Sequence, residues 1–181
     1  MPRFISLLRG INVSGQRKIR MAELKDAYEA LDLTNVATYV QSGNVVFDGR
    51  MRSATKVAEM LEAQIQSRFG FEVTVMIRSA GDLERIVKSN PYAAQAGNDP
   101  TKVHVTFLAA RPSAAMVKGV EDVDTRGDEF SFGREEIWLH CPGGYGKTKL
   151  NNAFLERKLK MPATTRNWKT VLALHDMAVS S

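Results

Sequence analysis

Among the 181 residues there is one cysteine, Cys141. That single thiol excludes an intrachain disulfide and any cysteine-rich metal centre. Long apolar runs are also missing, and no stretch approaches the roughly 20 residues that a membrane-spanning helix needs. The chain opens Met1-Pro2-Arg3-Phe4-Ile5, passing straight into a strand-like pattern. It shows neither the apolar segment nor the small-residue cleavage site of a secretion signal, so a cytoplasmic location and no membrane partner are expected. Histidine is scarce, and His104, His140 and His175 stand at no ligand spacing, so no metal site is expected. No acid–base pair or nucleophile–base pair stands at a recognisable spacing, and the sequence names neither a reaction nor a cofactor.

What is present fits a folded protein: 44% hydrophobic and 25% charged residues, in a chain long enough to bury a core. The net charge of +5 is unevenly spread. Residues 1–78 carry 11 Lys and Arg against 8 Asp and Glu, and residues 79–141 carry 7 against 10. Residues 142–181 carry 7 against 2, so an anionic partner is expected near the C-terminal part.

The apolar periodicity predicts a strand at Phe4 to Leu8, a helix at Met21 to Leu33, and strands at Val36 to Val40 and Val45 to Phe47. A long helix follows, capped by Ser53 and ended by Gly70, and then a strand at Glu72 to Ile77. The order βαββαβ is that of a ferredoxin-like unit. After a short helix at Ala80 to Lys88 the pattern repeats: a strand at Val103 to Ala109, a helix capped by Ser113, and a hairpin of Glu129 to Phe132 with Glu136 to His140. Lys149 to Leu159 reads as helical, and Arg166 to Ala178 reads as a further helix where a last strand would stand. The expected fold is therefore α+β, with duplicated ferredoxin-like units, the second modified by an extra C-terminal helix. The halves are residues 1–78 and 79–181.

After the second hairpin stands Cys141-Pro-Gly-Gly-Tyr-Gly-Lys-Thr148, which looks like a phosphate-binding P-loop. Its first glycine should be residue 141, which is cysteine, and the preceding strand belongs to a hairpin, so a true P-loop is set aside. A more general anion site is expected instead. Lys147 and Lys149 stand where a helix should start near Thr148, and Arg166 and Lys169 where another should start near Thr165. Cations at a helix N-terminus oppose the helix dipole, and a bound anion reverses that penalty. Topology adds a second candidate edge. The end of the first strand, with Arg9 and Asn12, should lie beside the turn of Gln41, Ser42, Gly43 and Asn44. Asp122 to Gly127 mimics the start of a calcium loop, but Arg126 and Gly133 occupy ligand positions, so calcium is not expected.

Four stretches together, Leu7 to Gly15, Gln41 to Phe47, Gly144 to Leu150 and Thr164 to Thr170, resemble an uncharacterised bacterial family defined by a domain of unknown function. Its motifs read L-L-R-G-I-N-V-G-G, Q-S-G-N-V-x-F, G-Y-G-K-[ST]-K-L and T-x-R-N-W-x-T. Here Ser14 replaces the first glycine of the Gly-Gly pair. The resemblance implies a duplicated ferredoxin-like fold and no particular activity.

The residues lead to a protein that binds a small anion, such as a nucleotide or a phosphorylated metabolite. Lys147, Thr148, Lys149, Arg166 and Asn167 would hold the anion, and Tyr145 and Trp168 would flank a planar group. Convergence of the two edges would add Arg9 and Asn12, with Gln41 and Asn44 beside them. The alternative is a nucleic-acid-binding module whose basic C-terminal quarter tracks phosphates.

Overall fold

The computed structural model describes residues 1–180. The chain divides into two compact units, one of Met1–Arg85 with the chain from Ala173 onward, the other of Ile86–Leu172. Among the described residues, no helix is long and apolar enough to cross a membrane.

In the first unit β1 (Arg3–Leu8), α1 (Met21–Glu29), β2 (Thr34–Tyr39), β3 (Asn44–Asp48), α2 (Ala54–Phe69) and β4 (Val75–Ser79) follow in order. The sheet runs β2-β3-β1-β4, with all neighbours antiparallel. Strand β1 is buried on both faces from Phe4 to Leu8, which is why its sequence is mostly apolar rather than an alternation, with Ser6 as the buried polar residue among them. Helix α2 starts at Ser53, whose hydroxyl accepts from the Lys56 N–H, and stops at Gly70. Leu24 and Tyr28 of α1 and Val57, Leu61 and Ile65 of α2 pack in one core with Phe4, Leu8, Val45 and Phe47. The one hydroxyl that this core must accommodate, on Tyr28, is paired with Ser6 at 2.7 Å, so its burial carries no unsatisfied polar group. Arg3 grips Asp48 through two hydrogen bonds of 2.8 and 3.1 Å and donates to the Ser180 carbonyl at the end of the chain.

Helix α3 (Ala80–Lys88) follows β4, and the division between units falls inside it. Then come α4 (Ala93–Asn98), a 3₁₀ turn (Pro100–Lys102), β5 (Val103–Leu108), α5 (Ala114–Glu121), β6 (Glu129–Phe132), β7 (Glu136–His140), α6 (Asn152–Leu159), β8 (Ala163–Asn167) and α7 (Trp168–Val179). The second sheet runs β6-β7-β5-β8, repeating the first position for position. The fold is α+β, two ferredoxin-like units with a C-terminal helix. One expectation is corrected. The last strand of the second half is present, and α7 begins at Trp168 rather than at Arg166. The expected helix start lies two residues too early, ahead of the cap at Asn167. The β-branched Thr164 and Thr165 belong to the strand.

The repetition extends to single hydrogen bonds. Leu8 N donates to Gly43 O at 2.9 Å and Leu108 N to Glu135 O at 2.8 Å, and Arg9 N donates to Thr74 O and Ala109 N to Pro162 O. Ile5 lies between Val46 and Arg78 as Val105 lies between Trp138 and Arg166. Each fourth strand runs directly into a helix capped by its last residue: Ser79 Oγ accepts from Asp82 N, and Asn167 Oδ1 accepts from Thr170 N. The connections that differ most in length between the units are two loops. Residues 9–20 follow β1 where 109–113 follow β5, and residues 141–151 follow β7 where 49–53 follow β3. Both long loops carry the glycine-rich motifs.

Candidate functional site

The antiparallel pairing of β6 with β7 sets Glu129 opposite His140. The residues just before β6 and just after β7 must therefore meet, and they enclose a cavity of about 470 Å³. Thr125, Arg126, Gly127 and Asp128 form one wall, and Pro142, Gly143, Gly144, Lys147, Thr148 and Lys149 the other. The walls are tied by the Thr148 hydroxyl, which donates to Asp128 at 2.6 Å and accepts from Leu150 N at 3.1 Å. Thr148 is buried and serves as this tie. Arg126, Lys147 and Lys149 line the cavity as exposed cations, and among the described residues no acidic side chain pairs with any of them.

Lys147 and Lys149 do not stand at the start of a helix. Residues Tyr145–Lys147 form a 3₁₀ turn, and α6 begins at Asn152 with Asn151 as its cap, its side chain accepting from Phe154 N at 2.9 Å. The α6 dipole therefore has no bearing on these two lysines, and what they share is the cavity. Arg166 lies in β8, buried, its guanidinium donating to Thr164 Oγ1 at 2.7 Å and to the Thr165 carbonyl at 3.1 Å. Burial lowers its pKa to about 10. Trp168 is buried, and Asn167 spends its side-chain oxygen on capping α7. None of these three lines the cavity of Lys147 and Lys149.

Tyr145 gives one ring face to the protein. Its ring stacks on His104 at 4.6 Å, and burial raises its phenol pKa against hydrogen bonds with Thr165 and the Asn152 backbone. Thr106, Thr165 and Asn152 continue this polar seam through bonds of 2.7 Å. Tyr145 thus pins the glycine-rich loop to the sheet. Cys141, at the loop's first position, is fully buried, and burial pushes its thiol up to about 11.

In the first unit the expected neighbours do come together. Asn12, with φ of 54°, donates to the carbonyls of Gln41 at 2.7 Å and Ile19 at 3.0 Å and accepts from Ile19 N. Asn44 is fully buried and donates to Tyr39 O and Ser42 Oγ. These two side chains close the junction between loops, so their hydrogen-bonding capacity goes to the protein. Asn12 and Gln41 line a cavity of about 540 Å³ with Lys18, Arg20 and Glu23. Arg9 lines another, of about 610 Å³, with Arg17, Glu59, Glu62 and Glu72, where the acidic groups outnumber the basic ones.

A family model described as "Protein of unknown function (DUF1697)" matches residues 1–138. The chain belongs to that family. The matched stretch takes in β1 through β6, the wall of residues 125–128 and the first three residues of β7, and stops before the loop of Lys147. Similarity continues beyond it in three dimensions. A solved structure titled as that of the conserved bacterial protein SP0830 from Streptococcus pneumoniae is 25% identical, with a TM-score of 0.77 over 98% of each chain. No curated protein matches the chain.

Arg126 and Asp128 were absent from the expected site. Their stretch drew attention only as a failed calcium loop. The hairpin register carried the missing signal, because a strand pair with Glu129 opposite His140 brings residues 125–128 against 141–144.

Proposed function

We propose that the second unit binds a small phosphate-bearing anion, such as a nucleotide or a phosphorylated metabolite, in the cavity between residues 125–128 and 142–149. The observation that carries this reading is the convergence of Arg126, Lys147 and Lys149, none in an ion pair, on one cavity. Asp128, the acidic residue in its lining, is engaged by Thr148 and holds the walls together. Three like charges brought together repel one another, and an anion between them converts that repulsion into attraction. Guanidinium and ammonium donors suit phosphate oxygens, the first through its planar fork and the second as a point charge. The volume, about 470 Å³, falls within the range of small-molecule sites.

The test is a thermal-shift screen of inorganic phosphate, pyrophosphate, nucleotides and sugar phosphates against wild type and Lys147→Ala/Lys149→Ala. Both lysines are exposed, so the variant retains the fold. A compound that raises the wild-type melting temperature and leaves the variant unmoved supports the site. Equal shifts in both proteins, or none at millimolar concentration, dispose of it.

A further inference from the structure

In the first unit, the loop of residues 9–20 and the turn of residues 40–43 concentrate costly backbone. Asn12, Ser14, Arg17 and Val40 hold φ between 49° and 54°. Val40 is the most demanding of them, being β-branched, and it gains no burial in return, since half its surface is exposed. Strain of this kind persists where the surroundings fix it, and it gathers at ligand sites. Here it sets the path into Gln41, whose carbonyl accepts from the Asn12 amide at 2.7 Å. Asn12 also holds both the carbonyl and the N–H of Ile19, so the two segments are locked together. Between them lies the cavity of about 540 Å³, a size ordinary for small-molecule sites.

Its charges are of both signs. Lys18, Arg20 and Glu23 line it, all exposed, and among the described residues none of them is in an ion pair. Arg20 holds the cap position of α1 and Glu23 is the third residue of that helix, positions whose side chains lie within reach of each other. A plain anion would meet Lys18 and Arg20 but be repelled by Glu23, and a plain cation would meet the reverse. A molecule with both charges finds a partner for each. The planar fork of Arg20 suits a carboxylate, and Glu23, an acceptor only, suits an ammonium. The exposed Gln41 amide both donates and accepts. Because Arg20 and Glu23 share one helix turn, the charges they address have to stand close together, as on a single α-carbon. We propose that this cavity binds a zwitterion of the α-amino acid class, its carboxylate toward Arg20 and Lys18 and its ammonium toward Glu23. The proposal is independent of the anion cavity in the second unit.

The experiment follows the backbone amide shifts of Gly15 to Glu23 in the full chain as each standard L-amino acid is added. The compound that binds best is then compared with its N-acetyl derivative, which lacks the ammonium, its carboxamide, which lacks the carboxylate, and γ-aminobutyrate, whose charges stand further apart. Removing either ligand charge should weaken binding about tenfold or more, the usual effect of losing a hydrogen bond to a charged group. Glu23→Gln, at an exposed position, should weaken the amino acid by a similar factor and bind the N-acetyl derivative at least as well as wild type does. A loss caused by altered packing would fall on both compounds alike and overturn the assignment of Glu23 to the ammonium. Amides that no amino acid moves at millimolar concentration overturn the proposal, as do derivatives or γ-aminobutyrate that bind as tightly as the parent compound. Acetate or inorganic phosphate binding as tightly as the amino acid overturns it in favour of a plain anion site.

Discussion

Replacing Gly43 with alanine tests whether the Gln-Ser-Gly-Asn turn is a packed junction. Gly43 has φ of 84°, and a Cβ there would stand 2.8 Å from both Leu8 Cβ and Ile11 Cδ1. The left-handed conformation alone costs an alanine about 1–2 kcal/mol. The overlap adds about 1–3 kcal/mol, the usual range for forcing a group into a filled core. Ile11 can swing its terminal methyl aside. Leu8 cannot, because its Cβ is fixed to β1, and its N–H is bonded to the Gly43 carbonyl at 2.9 Å. Relief must therefore come from parting the turn from the strand.

Gly10→Ala is the matched control. Gly10 has φ of 71° with nothing within 4 Å of the added Cβ, so it carries the conformational cost without the overlap. Melting temperatures of the two variants should differ by the overlap alone. At about 2–4 °C per kcal/mol for a chain of this size, Gly43→Ala should melt roughly 2–12 °C below Gly10→Ala. If the two melt within about 1 °C of each other, the junction is not close-packed and the loops are free to open around a ligand.

Two other outcomes follow from buried titratable groups. Burial lowers His104 to about 4 from its usual 6.5, so between those values the unfolded chain takes up a proton that the folded one does not. Stability should fall as pH drops through that window, and His104→Phe should flatten the slope in urea titrations at pH 7, 5.5 and 4.5. An unchanged slope, or an NMR titration of the His104 ring centred near 6.5, would show the imidazole to be solvated. Cys141 is fully buried and pushed up to about 11, so a thiol-specific disulfide reagent at pH 8 should label it no faster than the protein unfolds. Prompt labelling in the absence of denaturant would place the start of the glycine-rich loop at the surface.

Strands and capped helices were legible because their signals are local. Ser53, Gly70 and Ser113 mark helix ends with their own side chains or lack of one, and the hairpin at Gly133-Arg134 lies between two clear strands. The start of α6 was misplaced because Lys149 and Leu150 continue a helical spacing that Asn151, an N-cap residue, interrupts. Site residues were harder, for a different reason. Arg166, Asn167, Trp168, Thr148 and Asn44 are polar or aromatic residues in recognisable motifs, and the same residue types serve both a ligand and a buried framework. Only burial and partners tell the two uses apart. Arg126 needed strand register as well, since nothing in its own segment points to the lysines it faces.

The duplication gives an independent reason to look at the two long loops. Where the units correspond bond for bond, the sequence requirement is shared: an apolar central strand, a short loop into the next helix, and a cap. Residues 109–113 and 49–53 show how little chain those connections need. Residues 9–20 and 141–151 make the same connections with more chain, and each is tied down by its own side chains: Asn12 in one, Tyr145 and Thr148 in the other. Length alone would be a tolerated insertion. Length together with dedicated anchoring means the loop's shape matters. In the first unit the anchoring closes a junction, and the exposed Lys18 and Arg20 share their cavity with the carboxylate of Glu23. In the second it leaves Lys147 and Lys149 exposed on the cavity that Arg126 also lines, which is why the proposed anion site lies at that loop and not at its counterpart.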